Sequence, residues 1–260
     1  MQGLVIQSYR TEAVPAWIER CLTSVRDWAA GNDWQYRFMG DEILDLVPKW
    51  YHERAQGRLP VITDLGRLLA VRDALDNGMD TVVWIDADVL VFDPDGFDPT
   101  PSNAYAFARE VWVQPASRGG FKVFRNVHNA ACAFRRGNAM LDFYIHACEA
   151  VLRRSNGNVP NQIVGTKFLT ALNNIIGFEL MDDIGMISPL VARDLLAGTG
   201  PALACFLDAS PLPLRAVNLC GSLVGKNADG IDLSDAYVLA VVERLITDGR
   251  SIFSRGDADL

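Results

Sequence analysis

The sequence offers no cysteine or histidine pattern suited to a soft metal. Its five cysteines, Cys21, Cys132, Cys148, Cys205 and Cys220, are odd in number and scattered, and none forms a Cys-x-x-Cys pair. That argues against a disulfide framework and a thiolate zinc site, and for reduced, mostly buried thiols in a cytoplasmic protein. His52, His128 and His146 stand alone, with no His-x-x-x-His or His-Glu pairing. Zinc chemistry finds no support, and each ring is expected at the surface or satisfied in the core. Ser8, Ser188 and Ser210 lack a Gly-x-Ser-x-Gly elbow and no Walker-type phosphate loop occurs, so acyl transfer and P-loop hydrolysis are not indicated. No window reaches the roughly 20 apolar residues of a membrane span; the nearest, Ile184 to Leu207, is broken by Arg193, Asp194, prolines and glycines. The opening MQGLVIQSYR has neither the basic nor the apolar region of a secretory signal and reads as a first strand. Positive charge is also scarce. Lys plus Arg total 24 against 32 for Asp plus Glu, a net charge of −8, the wrong sign for a general partner of nucleic acid or an anionic bilayer.

What remains is the composition of an ordinary globular enzyme, 260 residues with 50% hydrophobic and 22% charged, expected to form one α/β domain. Leu4–Gln7 reads as a strand and Pro15–Ala30 as an amphipathic helix; Trp34–Met39 is a second strand and Asp45–Ala55 a short helix ending at the Gly57 and Pro60 break. Thr63 or Asp64 can cap a helix reaching Asp76, with Asn77-Gly78 as its stop. Further strands are expected at Thr81–Ile85, Ala104–Val113, Ala130–Phe134, Phe178–Met181 and Arg215–Leu219, and helices at Asn138–Arg154, Asn161–Asn174 and Ser234–Thr247. Ser117–Asn126 reads as a glycine-containing basic loop, and the residues up to Pro213 as a Pro- and Gly-rich stretch. Strands alternating with helices predict a mostly parallel, Rossmann-like sheet flanked by helices.

Thr81–Ile85 (TVVWI) is apolar without alternation, as in a strand covered on both faces, and it runs directly into Asp86-Ala87-Asp88. In an extended chain residues i and i+2 share a side, so the two carboxylates can aim at one point while Ala87 leaves the turn uncrowded. Ligands of open α/β sheets bind beyond the carboxyl ends of the strands. Oxygen ligands there suit Mg²⁺ or Mn²⁺, held by one or two carboxylates together with substrate phosphates. Two other readings of Asp-x-Asp stay open: a solvated acidic turn, and the nucleophile and acid pair of haloacid-dehalogenase phosphatases. The latter normally sits on the first strand of its fold, whereas more than 80 residues precede it here. Seven aspartates fall between Asp76 and Asp98, which places part of the acidic surplus around this strand.

These segments, taken in order, resemble the DXD-containing nucleotide-sugar glycosyltransferases of the GT-A fold, in particular the group that includes α-1,6-mannosyltransferases and is related to the clostridial glucosylating toxins. The resemblance rests on Gln7 to Tyr9 at the end of the first strand, Pro15-Ala16-Trp17, Trp34 to Arg37 with Asp41-Glu42, Thr63-Asp64-Leu65-Gly66-Arg67, and Val83 to Val89. It covers roughly the first 95 residues, implying a nucleotide-sugar-binding half (1–95) and an acceptor-binding, closing half (96–260) of a single catalytic domain. It implies that Gln7, Tyr9, Asp64, Arg67, Asp86 and Ala87 face the donor and that Asp88, with Asp86, ligates the metal. Asp64 and Arg67 also lie at i,i+3 on one helix and could be a local ion pair. Further on, Asn129 at a strand opening and Asn161-Gln162 at a helix start resemble donor-side positions, and could equally be caps.

Ala216 to Ser222 is similar to the closing segment of such enzymes, except that Asn218 and Leu223 stand where the family carries His and Trp. An amide oxygen can still bind a hard cation, so Asn218 is the candidate third ligand. Lys226 follows in a glycine-flanked loop, where it could balance diphosphate charge or be a surface lysine. Arg118, Lys122 and Arg125 around Gly119-Gly120 form a solvated loop or a flap, and Asp182-Asp183 an acidic turn or an acceptor-side carboxylate. The resemblance implies a metal-dependent hexosyltransferase using Mn²⁺ or Mg²⁺, a UDP- or GDP-sugar donor and a glycan or small-molecule hydroxyl acceptor. It further implies retention by front-face displacement, in which the leaving phosphate takes the acceptor proton. The alternative is a nucleotide-sugar-binding protein without transfer activity.

Overall fold

The computed structural model describes residues 2–155, 159–211 and 213–254. Its first three strands are the expected ones: β1 (Gly3–Ser8), β2 (Gln35–Met39) and β3 (Thr81–Ile85), with α1 (Ala16–Gly31) between the first two. After β2 come a 3-10 turn (Asp41–Leu46), α2 (Lys49–Ala55) and α3 (Leu59–Asp76). β3 is followed by the short β4 (Val89–Val91) and then by two long strands, β5 (Tyr105–Pro115) and β6 (Phe121–Arg135). The chain continues through α4 (Ala139–Arg154), α5 (Thr166–Ile176), β7 (Leu180–Met181), β8 (Ile184–Met186), α6 (Pro189–Ala197), α7 (Pro201–Ala209) and β9 (Ala216–Asn218). It closes with the two-residue strands β10 (Asn227–Ala228) and β11 (Ile231–Asp232) and with α8 (Asp235–Ile252).

The main sheet has the order β2-β1-β3-β6-β5-β7, with β6 antiparallel to both of its neighbours and the other pairs parallel. The result is the expected α/β fold with a mixed, mostly parallel sheet between helices. β3 shows why its sequence has no alternation. Val82 and Trp84 pack with α3, α4 and Leu4 on one face, while Val83 and Ile85 pack with Val25 and Trp28 of α1 on the other. A second sheet, β4-β9-β8, pairs Val89 with Asn218 and so brings the end of the chain back to the Asp-x-Asp turn.

Four sequence expectations need correction. The proposed Ser117–Asn126 loop is mostly strand: only the tip between Pro115 and Phe121 turns, and β6 pairs with β5 from Phe121 onward. α3 begins at Leu59, not at Thr63 or Asp64. Pro60 lies in its first turn, where a missing N–H costs nothing, and Thr63 instead returns its hydroxyl to the Leu59 and Pro60 carbonyls. Asn161 and Gln162 are in turns before α5, which starts at Thr166. The Pro- and Gly-rich stretch holds β8, α6 and α7, its prolines opening the two helices. Among the described residues no single helix is long and apolar enough to cross a membrane. α6 and α7 pass that test only as a pair bent by 113°, and their apolar side chains pack against Trp17, Val241 and Leu245.

Candidate functional site

The carboxyl ends of β1 and β3 lie side by side, because the two strands are parallel and in register from Gly3↔Thr81 to Ile6↔Trp84. Beyond that edge stands a cluster built by three elements. Asp64 and Arg67, three residues apart on α3, share one face, and both are buried in the fold. Arg67 Nη2 lies 3.2 Å from Asp64 Oδ1, and its Nη1 lies 3.0 Å from Asp86 Oδ1. The guanidinium also donates to the Asn129 carbonyl at 2.6 Å and sits over the Trp84 ring, 5.4 Å from its centroid. Trp84 is two residues before Asp86, on the α3 face of the sheet, and its indole N–H donates to Asp86 Oδ1 at 2.7 Å. Of the two readings of Asp64 and Arg67, the ion pair is therefore formed.

Asn129 does not open a strand. It lies inside β6, where the register with β5 jumps from Phe107↔Cys132 to Ala108↔His128. Such a bulge re-aims side chains, and Asn129 Nδ2 donates to Asp64 Oδ1 at 2.8 Å. Gln7, fully buried on β1, donates to the Asp86 carbonyl at 3.3 Å and accepts from the Tyr36 hydroxyl, so it holds the backbone of the turn.

Asp88 is held from the other end of the chain. Its Oδ1 accepts from Asn218 Nδ2 at 2.6 Å and its Oδ2 from the Gly221 N–H at 2.7 Å, with no ion pair among the described residues. Asn218 turns its own Oδ1 to the Cys220 N–H at 2.8 Å. Reversing the amide would lose that bond and set oxygen against carboxylate, so the orientation is fixed by chemistry. As folded, Asn218 is a donor to Asp88, not an oxygen ligand facing the Asp86 and Asp88 pair.

Two glycines let the backbone approach the acids. A Cβ at Gly165 would stand 2.9 Å from Asp64 Oδ2, and one at Gly221 would stand 3.1 Å from Asp88 Oδ2. Burial pushes Asp64 up to about 6 against the pull of Arg67 and Asn129. Asp88 also rises to about 6, through burial and then the neighbouring Asp86 charge. Burial raises Asp86 as well, with Arg67 opposing. Two carboxylates thus share one guanidinium, and Asp88 beside them has no cationic partner among the described residues.

Among the described residues no group of three or more His, Cys, Asp or Glu is arranged to hold a metal ion. A hard cation that takes its remaining ligands from water and phosphate needs only one or two carboxylates. Asp86 and Asp88 match that number, Asp86 beside Arg67 and Asp88 without an ion pair among the described residues.

Two cavities meet at this cluster, and Arg67, Asp86, Asp88 and Ser222 line both. The smaller, about 330 Å³, is walled by Tyr9, Trp17, Ile18, Ile43 and Trp84, with Ala87 at its floor. The larger, about 560 Å³, takes in Asp64, Asn129, Asn161, Gln162 and Asn218, a size within the roughly 300–1,000 Å³ of small-molecule sites. Of the candidate donor residues, Gln7 and Lys226 are in neither wall: Gln7 is buried behind the turn, and the Lys226 ammonium donates to the Ser222 carbonyl at 2.7 Å. Arg118, Lys122 and Arg125 are exposed on the β5–β6 ribbon and outside both walls. Asp182 pairs with Arg109, and Asp183 accepts backbone bonds from Arg215 and Ala216.

Glu110, Trp112, Phe124 and Asn126, which no sequence motif marks, also line the larger cavity, together with His128. His128 is neither at the surface nor satisfied. Its Nδ1 accepts from the Ala130 N–H at 3.1 Å, while Nε2 has no hydrogen-bond partner among the described residues. Burial lowers its pKa from the usual 6.5 to about 4, the Arg109 main chain opposing. The folded chain therefore binds fewer protons than the unfolded one between these values, and stability falls as pH drops through the window. At about 1.4 kcal/mol per unit, removing the imidazole in His128→Asn is expected to relieve roughly 3 kcal/mol of acid sensitivity. Urea midpoints of both proteins at pH 4 to 7 measure this, and parallel curves would refute it.

No family model matches the chain, and no curated protein sequence matches it. Solved structures that do align include a glycosyltransferase involved in glycosylation of the major capsid of PBCV-1, at 13% identity and TM-score 0.47, covering 92% of this chain and 98% of that one. The galactosyltransferase LgtC, solved with donor and acceptor sugar analogs, aligns at 12% identity and TM-score 0.44, covering 93% of this chain and 95% of that one. At such identities no residue role passes from either protein to this one.

Proposed function

We propose that the chain is a metal-dependent glycosyltransferase that moves a hexose from a nucleoside-diphosphate sugar to a hydroxyl acceptor. The observation that carries this reading is the junction of two cavities at Arg67, Asp86 and Asp88, on the carboxyl edge of parallel strands. The aromatic cavity, with Tyr9 and Trp17, suits a nucleoside; the polar one suits sugar hydroxyls. Arg67, fixed by Asp64 and Asp86, and Asn129, fixed by Asp64, would orient the donor sugar. Asp86 and Asp88 would hold Mn²⁺ or Mg²⁺, which when bound neutralises charge on a leaving diphosphate. Asn218 and Gly221 keep Asp88 in place.

In the transfer the bond from the anomeric carbon to the phosphate oxygen breaks and a bond to the acceptor oxygen forms. The acceptor proton goes to the departing diphosphate, so no side-chain base is required. Retention follows from the sequence resemblance alone, and product stereochemistry by NMR decides it.

A melting screen of UDP-, GDP- and TDP-sugars with and without Mn²⁺ tests the reading. At about 100 times Kd the gain is about 2.7 kcal/mol, or some 5–10 °C for a chain of this size. A shift by no nucleotide sugar removes the proposal. A metal-dependent shift without hydrolysis or transfer leaves a nucleotide-sugar-binding protein instead.

A further inference from the structure

β5 and β6 form a ribbon that runs past the carboxyl edge of the parallel strands, since β6 leaves β3 at Ala131 and continues back to Phe121. Side chains alternate across such a ribbon, and the register fixes which ones share a face: Ala108↔His128, Glu110↔Asn126 and Trp112↔Phe124 are direct partners. The larger cavity is lined by the last two pairs and by His128. The intervening residues Val111 and Val113, with Val123, go to the opposite side and pack into the apolar core. Val111, Val113 and Val123 on one face of the ribbon are thus core, and Glu110, Trp112, Phe124, Asn126 and His128 on the other are a wall of the cavity.

We propose that this wall is the acceptor subsite and that its ligand is a neutral glycoside, bound with a pyranose ring against Trp112 and Phe124. The assignment rests on the glycosyltransferase reading above. Glu110 is buried, yet its only side-chain partner among the described residues is the Asn126 amide, and burial raises its pKa against that bond. Nearby, the buried imidazole of His128 leaves Nε2 without a hydrogen-bond partner among the described residues. Buried polar groups are ordinarily satisfied, so unused capacity beside two half-buried aromatic rings marks a place for hydroxyl groups over an apolar sugar face.

The charge of the wall narrows the class. Among the described residues lining the cavity, Arg67 is the single cation, and it is engaged by Asp64 and Asp86; the exposed Lys122 ammonium lies outside the lining, 4.4 Å from the centroid of the Phe124 ring that it covers. A carboxylate, amides and an imidazole held neutral by burial do not suit a phosphate headgroup or an acidic sugar. The nucleotide has its own aromatic cavity on the other side of the Asp86 and Asp88 turn.

Saturation-transfer NMR on the full chain with UDP and Mn²⁺ tests this, using lactose and the methyl glycosides of glucose, galactose and mannose as probes. At least one neutral glycoside is expected to bind wild type. Trp112→Ala and the isosteric Glu110→Gln are expected to weaken it at least tenfold, and Arg118→Ala, on the exposed turn, is the unaffected control. Glu110→Gln keeps the test decisive should Trp112→Ala fail to fold. Either of two results overturns the acceptor assignment while the donor reading stands: no glycoside binding to a chain that nucleotide sugars still stabilise, or wild-type binding by both variants. If wild type responds to neither glycosides nor nucleotide sugars, both readings fall together.

Discussion

Arg67→Met is expected to cost roughly 3–5 kcal/mol of folding stability at neutral pH, the range for breaking a buried ion pair by deleting one partner. The side chain bridges Asp64 and Asp86, donates to the Asn129 carbonyl and covers the Trp84 ring. Methionine replaces some of the volume and none of the charge. Two carboxylates already raised by burial then lose the group that lowers them. Their folded pKa values rise further above the ordinary carboxylate value, so the folded state holds more protons than the unfolded one across that interval. The deficit of the variant is therefore smallest in acid and grows as pH rises through the shifted values. Urea unfolding of both proteins at pH 5 and pH 8 measures it; equal midpoints at pH 8 would show that Arg67 carries no structural charge balance. Arg67→Lys is expected to recover only part of the loss, because a single ammonium cannot reach two carboxylates and a carbonyl in the geometry of a planar fork.

Much of this cluster was legible because local periodicity carries it. An apolar strand ending in Asp-x-Asp, and an Asp and Arg at i,i+3 on the preceding helix, are short-range patterns, and both fall where the fold brings them together. Trp84 had the same signal, two residues before Asp86, and was read only as core. The aspartates between Asp76 and Asp98 misled as a group. Asp80 pairs with Arg136, Asp93 with Arg215 and Arg250, and Asp95 with Arg250, so three of the seven are spent on structural ion pairs away from the cavity. Partners 56 to 157 residues away leave no mark in a local window.

The ribbon wall was hidden for a different reason. Gly119-Gly120 and the cations around it look like a loop, although Phe121, Val123 and Val127 alternate with Lys122, Phe124, Asn126 and His128 as a strand does. Here Phe124, Asn126 and His128, on the polar side of that alternation, line the cavity, while Lys122 at its outer end is exposed. Nor could composition reveal that Asn218 and Gly221, 130 and 133 residues after Asp88, would hold its two oxygens. That contact depends on β9 pairing with β4.

Asp88→Asn is the complementary experiment, expected to remove function while sparing the fold. Ionised Asp88 is costly where it stands: burial and the adjacent Asp86 lift its pKa to about 6, so neutralising it relieves a repulsion. Against that gain, an amide offers only one oxygen to two donors, the Asn218 amide and the Gly221 N–H. Leaving one of these unpaired costs about 1–3 kcal/mol. The two effects oppose each other, and the melting temperature without ligand is expected to move by only a few degrees. Function has no such compensation, because a neutral side chain can neither replace the lost negative charge nor hold a hard cation as a carboxylate does. The Mn²⁺-dependent shift with nucleotide sugar is expected to vanish, and transfer or donor hydrolysis to fall by roughly 10²–10³-fold, the scale of losing one preorganised electrostatic contact to a leaving group. Comparing the two variants separates the roles of the cluster. Arg67→Met loses stability first, whereas Asp88→Asn keeps a folded chain that no longer responds to the metal. A variant at Asp88 that retained both the metal-dependent shift and the turnover would mean that the Asp-x-Asp turn is a structural acidic turn after all.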